Sequence, residues 1–156
     1  MKSSGHIKSS DYRALAEFRY QIRQFLRFSE EAARAAGLEP QQHQLLLAVK
    51  GLPEDVPATI GEMAERLQIQ HHSTVELVDR MVRRGYVLRR RGSQDRRQVM
   101  LQLTAKGDRI LRDLSAFHID ELRTLSPELV LSLRRLMATR GREKKSGAKT
   151  RKVAAK

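Results

Sequence analysis

The chain has 156 residues, a formal net charge of +13 and no cysteine, with 40% hydrophobic and only 4% aromatic residues. This length and composition predict one domain, with or without a tail, and a core of mainly aliphatic side chains. Because there is no cysteine, disulfides, thiolate metal sites and thiol-based redox sensing are excluded. The opening residues, MKSSGHIKSSDY, lack the apolar segment of a secretory signal, and no apolar run reaches the ~20 residues of a membrane span. We therefore expect a cytoplasmic protein that does not enter a membrane.

The positive charge is concentrated in two segments. Residues 83–97 carry seven arginines and one aspartate, and residues 141–156 carry seven lysines or arginines and one glutamate, a net charge of +6 in each case. Localised basic segments on a nearly neutral body are typical of proteins that bind a polyanion, because neutralising phosphates releases counterions. Nucleic acid is favoured over an anionic membrane surface, since no basic amphipathic helix with aromatic anchors accompanies the charge.

The first predicted element is a long helix, preceded by a flexible polar segment at residues 1–9. Ser10 and Asp11 can cap this helix, and Gly37 ends it. Its apolar face, recognised by helical spacing, contains Leu15, Phe18, Ile22 and Phe25. This is a large apolar face for one helix of a small domain. It is explained by burial either against a partner chain or within its own chain.

Three shorter helices follow. Pro40 fits the first turn of the second helix, and a linker with two prolines occupies residues 51–58. Residues 59–62, Thr-Ile-Gly-Glu, form a capping-box pattern that predicts the start of a short third helix. The sequence HHST at residues 71–74 opens a fourth helix, and Gly85 is a natural stop for it.

The periodicity then changes from helical to alternating. Residues 87–91 and 99–103 predict two strands of a β-hairpin whose turn begins at Gly92-Ser93 and whose tip is unusually charged. Thr104 caps a long helix after the hairpin. Ser126-Pro127-Glu128 predicts the end of that helix and the start of a last one.

This order of elements is that of a winged helix-turn-helix: the third and fourth helices form the helix-turn-helix, and the hairpin forms the wing. The predicted fold class is mainly α, with a two-stranded β-wing and additional helices at both ends. In such a unit the second helix lies in the DNA major groove with its N-terminal residues at the base edges. The predicted DNA readers are Gln70, His71, His72, Ser73, Thr74, Glu76, Arg80 and Arg84. Ser73 and Thr74 can equally be helix caps.

The charged tip of the hairpin is explained if it reaches the minor groove, where negative potential is focused and arginine insertion is favoured. The predicted wing contacts are Arg90, Arg91, Ser93, Asp95, Arg96 and Arg97. The two strand arginines can meet phosphates, while the two that follow Asp95 can enter the groove. An unpaired Asp95 would repel phosphate, so we expect it to accept a hydrogen bond from a nearby arginine. The alternative is a solvated charged turn.

Three segments of the chain resemble the MarR (multiple antibiotic resistance regulator) family. GSQDRRQVMLQLTAKG resembles its wing and following strand, with a D-x-R motif followed by L-x-L-T-x-x-G. HHSTVELVDRMVRRGYV resembles its recognition helix, and LEPQQHQLLLAV resembles its second helix. The match in organisation covers about residues 10–140. The resemblance implies that Asp95 and Arg97 form the wing pair, with Arg97 or Arg96 in the minor groove, and that residues 71–74 read the major groove.

The resemblance also implies how the chain is organised. We expect a flexible N-terminus at residues 1–9, a MarR-like domain at residues 10–140 and a disordered basic tail at residues 141–156. Within the domain, the resemblance implies a DNA-binding lobe at about residues 40–104. It further implies dimerisation helices at about residues 10–36 and 105–140. The basic tail is not part of the family pattern, and it either adds non-specific DNA affinity or acts as a solubilising extension.

The expected function is that of a homodimeric transcription regulator, a repressor that binds double-stranded DNA at a pseudo-palindromic operator. The family uses a pocket between the DNA-reading lobe and the dimer helices for a small-molecule effector. Residues that can line such a pocket here are Tyr12, Arg19, Arg23, His43 and Phe117. Because the chain has no cysteine, the family's thiol-oxidation mode of sensing is excluded.

Two other classes of protein compete with this interpretation. A metal or catalytic site is suggested by His72 and Glu76, four residues apart on a helix, with His71 adjacent. No third ligand is placed nearby, and no HExxH or nucleophile motif is present, so we expect no enzyme, no metal and no cofactor. The other alternative is a nucleoid-architectural or RNA-binding protein that uses a winged helix as a platform.

Overall fold

The structure is a computed structural model that describes residues 7–92 and 98–150, with side chains described as far as residue 138. In these ranges the elements are α1 (Ser9–Ala35), α2 (Pro40–Lys50), α3 (Ile60–Leu67), α4 (His71–Arg83), β1 (Val87–Arg91), β2 (Val99–Leu103) and α5 (Ala105–Thr150). The predicted fold class, mainly α with a two-stranded wing, is confirmed. Over the described part of the chain, none of the helices has the length and apolar character needed to cross a membrane.

The chain divides into two compact units. The first consists of Met1–Phe28 and Ile119–Lys156, and the second is Ser29–His118. Helices α1 and α5 are long enough to contribute to both units. The predicted DNA-binding lobe, residues 40–104, lies within the second unit, which extends beyond it at both ends.

The second unit has one hydrophobic core to which every helix and both strands contribute. Its buried members are Ala33, Leu38, Leu45, Leu46, Ala58, Met63, Leu77, Val78, Met81, Tyr86, Val87, Leu101, Leu111 and Leu114. Fully burying one of the larger side chains stabilises the fold by about 1.5–3 kcal/mol. This core therefore fixes how α4 and the hairpin lie relative to each other.

The helix boundaries follow local backbone chemistry. Gly37 and Gly85 adopt left-handed φ values of 78° and 70°, as expected for residues that end α1 and α4. At the start of α3, the Oγ1 of Thr59 accepts a hydrogen bond from the backbone N–H of Glu62 at 3.2 Å. The predicted ends at Gly37 and Gly85 and the predicted cap at Thr59 are confirmed.

The hairpin is joined to α5 by a tight junction that explains the L-T-x-x-G pattern. The strands pair antiparallel, with Val87 opposite Leu103. Thr104 caps α5, since its Oγ1 accepts from the N–H of Gly107 at 3.0 Å, and the same hydroxyl donates to the carbonyl of Gly85 at 2.7 Å. A Cβ on Gly107 would collide with the carbonyl oxygen of Tyr86. A residue without a side chain is therefore needed one turn after the capping threonine.

The prediction that a helix ends before Pro127 is wrong, because α5 continues through this proline. A proline inside a helix removes one backbone hydrogen bond and costs about 3 kcal/mol. Leu122, Leu125 and Leu129 are all partly buried on either side of it and lie three to four residues apart, on one helix face. Helix α5 stays continuous across Pro127 despite this cost.

Helix α5 also continues past Gly141 to Thr150, where the sequence predicts a disordered tail. Extending an existing helix avoids the cost of nucleation, and lysine, arginine, glutamate and alanine are good helix formers. The backbone of residues 141–150 therefore differs from the sequence prediction. Residues 151–156 lie outside the described residues.

Candidate nucleic-acid interface

Helices α3 and α4 form the helix-turn-helix of the second unit. Between them Gln68 adopts a left-handed φ of 54°, and its backbone N–H bonds to carbonyls in the last turn of α3. This compact turn lets α4 start three residues later. One face of α4 packs into the core, where Leu77, Val78 and Met81 are each at most 1% exposed. Its other face is therefore left exposed in a fixed orientation.

Most of the predicted readers lie on this exposed side of α4. Gln70, His71, His72, Glu76 and Arg80 are exposed, and Ser73 is half-buried. His72, Glu76 and Arg80 are spaced by four residues and so follow one another along a single helix face. The structure thus brings these residues together in one polar surface that runs along α4 from its start to Arg80.

Thr74 does not belong to this surface. Its side chain is completely buried, and its Oγ1 donates a hydrogen bond to the backbone carbonyl of Gln70 at 3.1 Å. Position 74 precedes Leu77 and Val78 by three and four residues, which places it on the core face of α4. The prediction that Thr74 reads DNA bases is therefore wrong.

Arg84 is exposed, and its guanidinium forms hydrogen bonds within the second unit. One of its guanidinium nitrogens donates to the Oε1 of Gln42, and another donates to the backbone carbonyl of Gly37, each at 2.7 Å. The guanidinium carbon lies 5.2 Å from the centre of the Tyr86 ring. The side chain of Arg84 therefore makes contacts inside the second unit although the residue is exposed, and its predicted DNA contact stays a prediction.

The wing begins beside α4 and carries exposed arginines. Arg90 and Arg91 are exposed at the outer end of β1, as predicted for phosphate contacts. Arg89 pairs with Asp79 of α4, with an N–O distance of 2.6 Å, and so ties the base of the wing to the helix. Sequence reasoning missed this ion pair. The signal that could have found it was the opposite charges in the C-terminal half of α4 and in the following strand.

The remaining predicted wing contacts, Ser93, Asp95, Arg96 and Arg97, lie outside the described residues. Their predicted roles therefore stay predictions. The described backbone does bring the ends of β1 and β2 together, because the N–H of Gly92 donates to the carbonyl of Gln98 at 2.8 Å.

The predicted effector-pocket residues fall in both units. Tyr12, Arg19 and Arg23 are exposed residues of α1 in the first unit, while His43 is 4% exposed and Phe117 is 55% exposed in the second unit. The pocket itself stays a prediction.

His43 has a buried environment of its own. Its ring lies 4.8 Å from the ring of His118 on α5, and within the described residues its Nε2 has no hydrogen-bond partner. Burial, helped by repulsion from His118, lowers the pKa of His43 to about 4. Burial also lowers the pKa of His118, opposed by a hydrogen bond with the backbone of Ser29. Both rings are therefore neutral at pH 7.

The part of the chain that contains α3, α4 and β1 matches known proteins. Residues 36–98 match the family model described as the MarR family. An uncharacterised HTH-type transcriptional regulator, YcgE of Bacillus subtilis, is 33% identical over 87 residues. The aligned stretch is 56% of this chain and 54% of that relative, so the chain spans about half of the relative's length.

Two solved structures show the same fold over much of the chain. The S. aureus MepR–DNA complex has a TM-score of 0.64 at 17% identity, covering 83% of this chain and 92% of the other. CouR from Rhodococcus jostii, solved with p-coumaroyl-CoA, has a TM-score of 0.54 at 26% identity, covering 63% of this chain and 66% of the other.

Proposed function

We propose that the protein is a DNA-binding transcription regulator of the MarR family, whose family model residues 36–98 match, and that it is a dimeric repressor whose DNA affinity a small-molecule effector modulates. The observation that carries this proposal is the polar surface of α4 beside an arginine-bearing strand. These are the two parts that a winged helix-turn-helix uses on duplex DNA. The MepR–DNA complex, which has the same fold, supports the choice of DNA as the partner.

In the proposed complex, α4 enters the major groove. Its surface offers planar and short hydrogen-bonding groups, of which His71, His72 and Gln70 are nearest the helix start and suit base edges. Arg80, Arg90 and Arg91 are exposed cations that suit the flanking phosphates, since phosphate contacts supply affinity and register without reading sequence. The wing residues from Ser93 to Arg97 would extend this contact into the minor groove.

The first unit supports the proposed dimer because it exposes large apolar side chains. Met137 is 68% exposed and Tyr12 is 62% exposed. Further exposed apolar residues of this unit are Ile7, Leu15, Tyr20, Leu26, Ile119, Val130, Leu131 and Leu133. So many exposed apolar groups on two helices are typical of a surface that another chain covers. A second copy is the proposed partner, because a two-fold dimer would present two recognition helices about 34–36 Å apart, one turn of DNA.

The proposed effector pocket is supported by CouR, which was solved with p-coumaroyl-CoA. An effector changes DNA affinity only by as much as it prefers one arrangement of the two recognition helices over another.

Selection of bound genomic fragments, followed by footprinting at fixed salt, tests the function. A regulator should protect a pseudo-palindrome with half-sites one helical turn apart, since two symmetry-related α4 helices contact it. Weak and similar binding to every duplex would instead indicate an architectural protein. Preference for RNA over duplex DNA would contradict the proposal.

A further inference from the structure

Arg84, the residue that follows the last turn of α4, lies at a junction of three elements. Its guanidinium donates to the Oε1 of Gln42 and to the carbonyl oxygen of Gly37, each at 2.7 Å. Gly37 ends α1, and Gln42 lies in the first turn of α2. One planar side chain therefore joins the end of α4 to the α1–α2 turn.

The acceptors of Arg84 are themselves held in place. Gln42 is 5% exposed, and its Oε1 also accepts from the backbone N–H of Glu39 at 3.1 Å. Gly37 is fixed by a positive φ of 78°. An arginine fork matches two acceptors in fixed positions, whereas a lysine ammonium offers a single point of contact.

The main chain of Arg84 also has a side-chain partner. Its carbonyl oxygen accepts from the Nζ of Lys106 at 2.9 Å, and that ammonium lies 4.4 Å from the centre of the Tyr86 ring. The guanidinium of Arg84 packs over the same ring. Tyr86 is 7% exposed, so this ring is a fixed wall of the core rather than a mobile surface group.

We propose that Arg84 is a positioning residue for DNA recognition: its guanidinium fixes the C-terminal end of α4 against the α1–α2 turn and so sets the direction of the readers at the other end of the helix. This inference rests on the proposed function. It replaces the direct DNA contact that the sequence suggested for Arg84.

Because α4 is long, a small tilt about its C-terminal end displaces the residues at its N-terminal end. A helix of thirteen residues is about 20 Å long, so a tilt of about 5° around its C-terminal end moves its N-terminal end by roughly 2 Å. Hydrogen bonds to base edges do not survive a displacement of that size. Contacts to phosphates through long, exposed side chains adapt more easily. A loosened α4 should therefore lose sequence-specific binding while keeping non-specific binding.

The test compares Arg84→Lys and Arg84→Ala with the wild-type chain, using the operator found by footprinting and an unrelated duplex. Arg83→Ala is the matched control, because it removes the same charge from the adjacent, exposed position. Affinities are measured over a range of salt concentrations, and melting temperatures show that each variant is folded. We expect both Arg84 variants to bind the operator about tenfold more weakly. The unrelated duplex should be bound as by the wild type, and Arg84→Lys should keep the wild-type salt dependence.

Two results would overturn the proposal. In the first, Arg84→Lys keeps wild-type operator binding, while Arg84→Ala makes the negative slope of log K against log salt shallower by about one. Arg84 would then contact a phosphate. If both variants keep wild-type operator affinity, Arg84 serves at most to stabilise the fold.

Hydrogen exchange in the absence of DNA separates this inference from the proposed function. Arg84→Lys should speed amide exchange in the last turn of α4 and in residues 37–42, and Arg83→Ala should not. Unchanged exchange in both segments would show that the guanidinium does not hold α4, which refutes the inference. A wild-type chain that binds no duplex selectively would refute the proposed function, while the exchange result still decides the role of Arg84 in holding α4.

Discussion

At the scale of single residues, Gly107 is a position where the fold leaves no room for a side chain. Its missing side chain lets the start of α5 lie against the backbone of Tyr86, where a Cβ would collide with the carbonyl oxygen. Backbone cannot move aside as a flexible side chain can, so the strain must be distributed over the strand and the helix. The final glycine of the L-x-L-T-x-x-G pattern is therefore explained by close packing.

Gly107→Ala should lower the free energy of unfolding by about 1–3 kcal/mol, the usual cost of overpacking a tight site. Thermal or urea denaturation measures the effect. Gly61→Ala is the matched control, because a Cβ at Gly61 would meet only the Thr59 Oγ1 at 3.9 Å. Gly61 lies within α3, so alanine there should stabilise the chain by about 0.5–1 kcal/mol. Equal stability of the Gly107 variant and the wild type would contradict the proposed close approach.

His43 predicts how stability depends on pH. Its pKa is lowered from 6.5 to about 4 in the folded chain, chiefly by burial and also by His118. Between these two pH values the unfolded chain binds a proton at His43 that the folded chain does not. The free energy of unfolding should therefore fall as the pH falls through this window, and it should be insensitive to this group above it.

Urea midpoints measured between pH 7.5 and pH 4.5 test this prediction. His43→Gln should make the decline shallower, because one of the groups responsible is removed. His71→Gln is the control, since His71 is exposed on α4, and its profile should follow that of the wild type. A His43 variant with the wild-type pH profile would show that the ring is not kept neutral by its surroundings.

At the scale of elements, local chemistry in the sequence predicted where helices begin and end. Gly37, Thr59 and Gly85 act through their own backbone conformation or side-chain cap, which needs no knowledge of the rest of the fold. Pro127 misled the prediction because a proline disfavours a helix by about 3 kcal/mol but does not exclude it. The local sequence alone therefore did not show that α5 continues through this position.

The predicted DNA-reading residues on α4 show a second limit of sequence reasoning. Polar residues at the start of a recognition helix look alike in the sequence, but only those facing away from the core can contact DNA. Thr74 shares its face with Leu77 and Val78, and this could have been inferred from helical spacing. The partners of Arg84, at Gln42 and Gly37, lie more than forty residues away in sequence, and no local pattern identifies them.

The wing is the element whose role remains a prediction from sequence. Arg97→Ala should weaken operator binding by about 1–3 kcal/mol, because it removes a cation inserted in the minor groove, and should leave the fold intact. A gel-shift titration at fixed salt measures the change. Arg112→Ala is the control, as Arg112 is an exposed arginine of α5 that pairs with Asp108 on its own helix. Unchanged affinity for Arg97→Ala would contradict the wing assignment.

At the scale of the whole molecule, the chain separates two kinds of surface. The first unit exposes apolar side chains suited to a partner chain, and the second exposes polar and basic side chains suited to DNA. Helices α1 and α5 contribute residues to both units. Within the second unit, Arg84 joins the end of α1 to the end of α4.

The second basic segment, residues 141–156, adds a net charge of +6 outside the matched family region. If it binds DNA, truncation after Arg140 should weaken binding to any duplex and reduce the salt dependence by about 0.9 for each phosphate that is no longer neutralised. Truncation after Thr150 is the matched control, because it removes only Arg151, Lys152 and Lys156 of the seven cations and should give an intermediate slope. The operator should lose no more affinity than an unrelated duplex, since phosphate binding carries no base readout. An unaltered slope for the shorter chain would show that this segment does not touch DNA, and its charge would then serve only to keep the protein in solution.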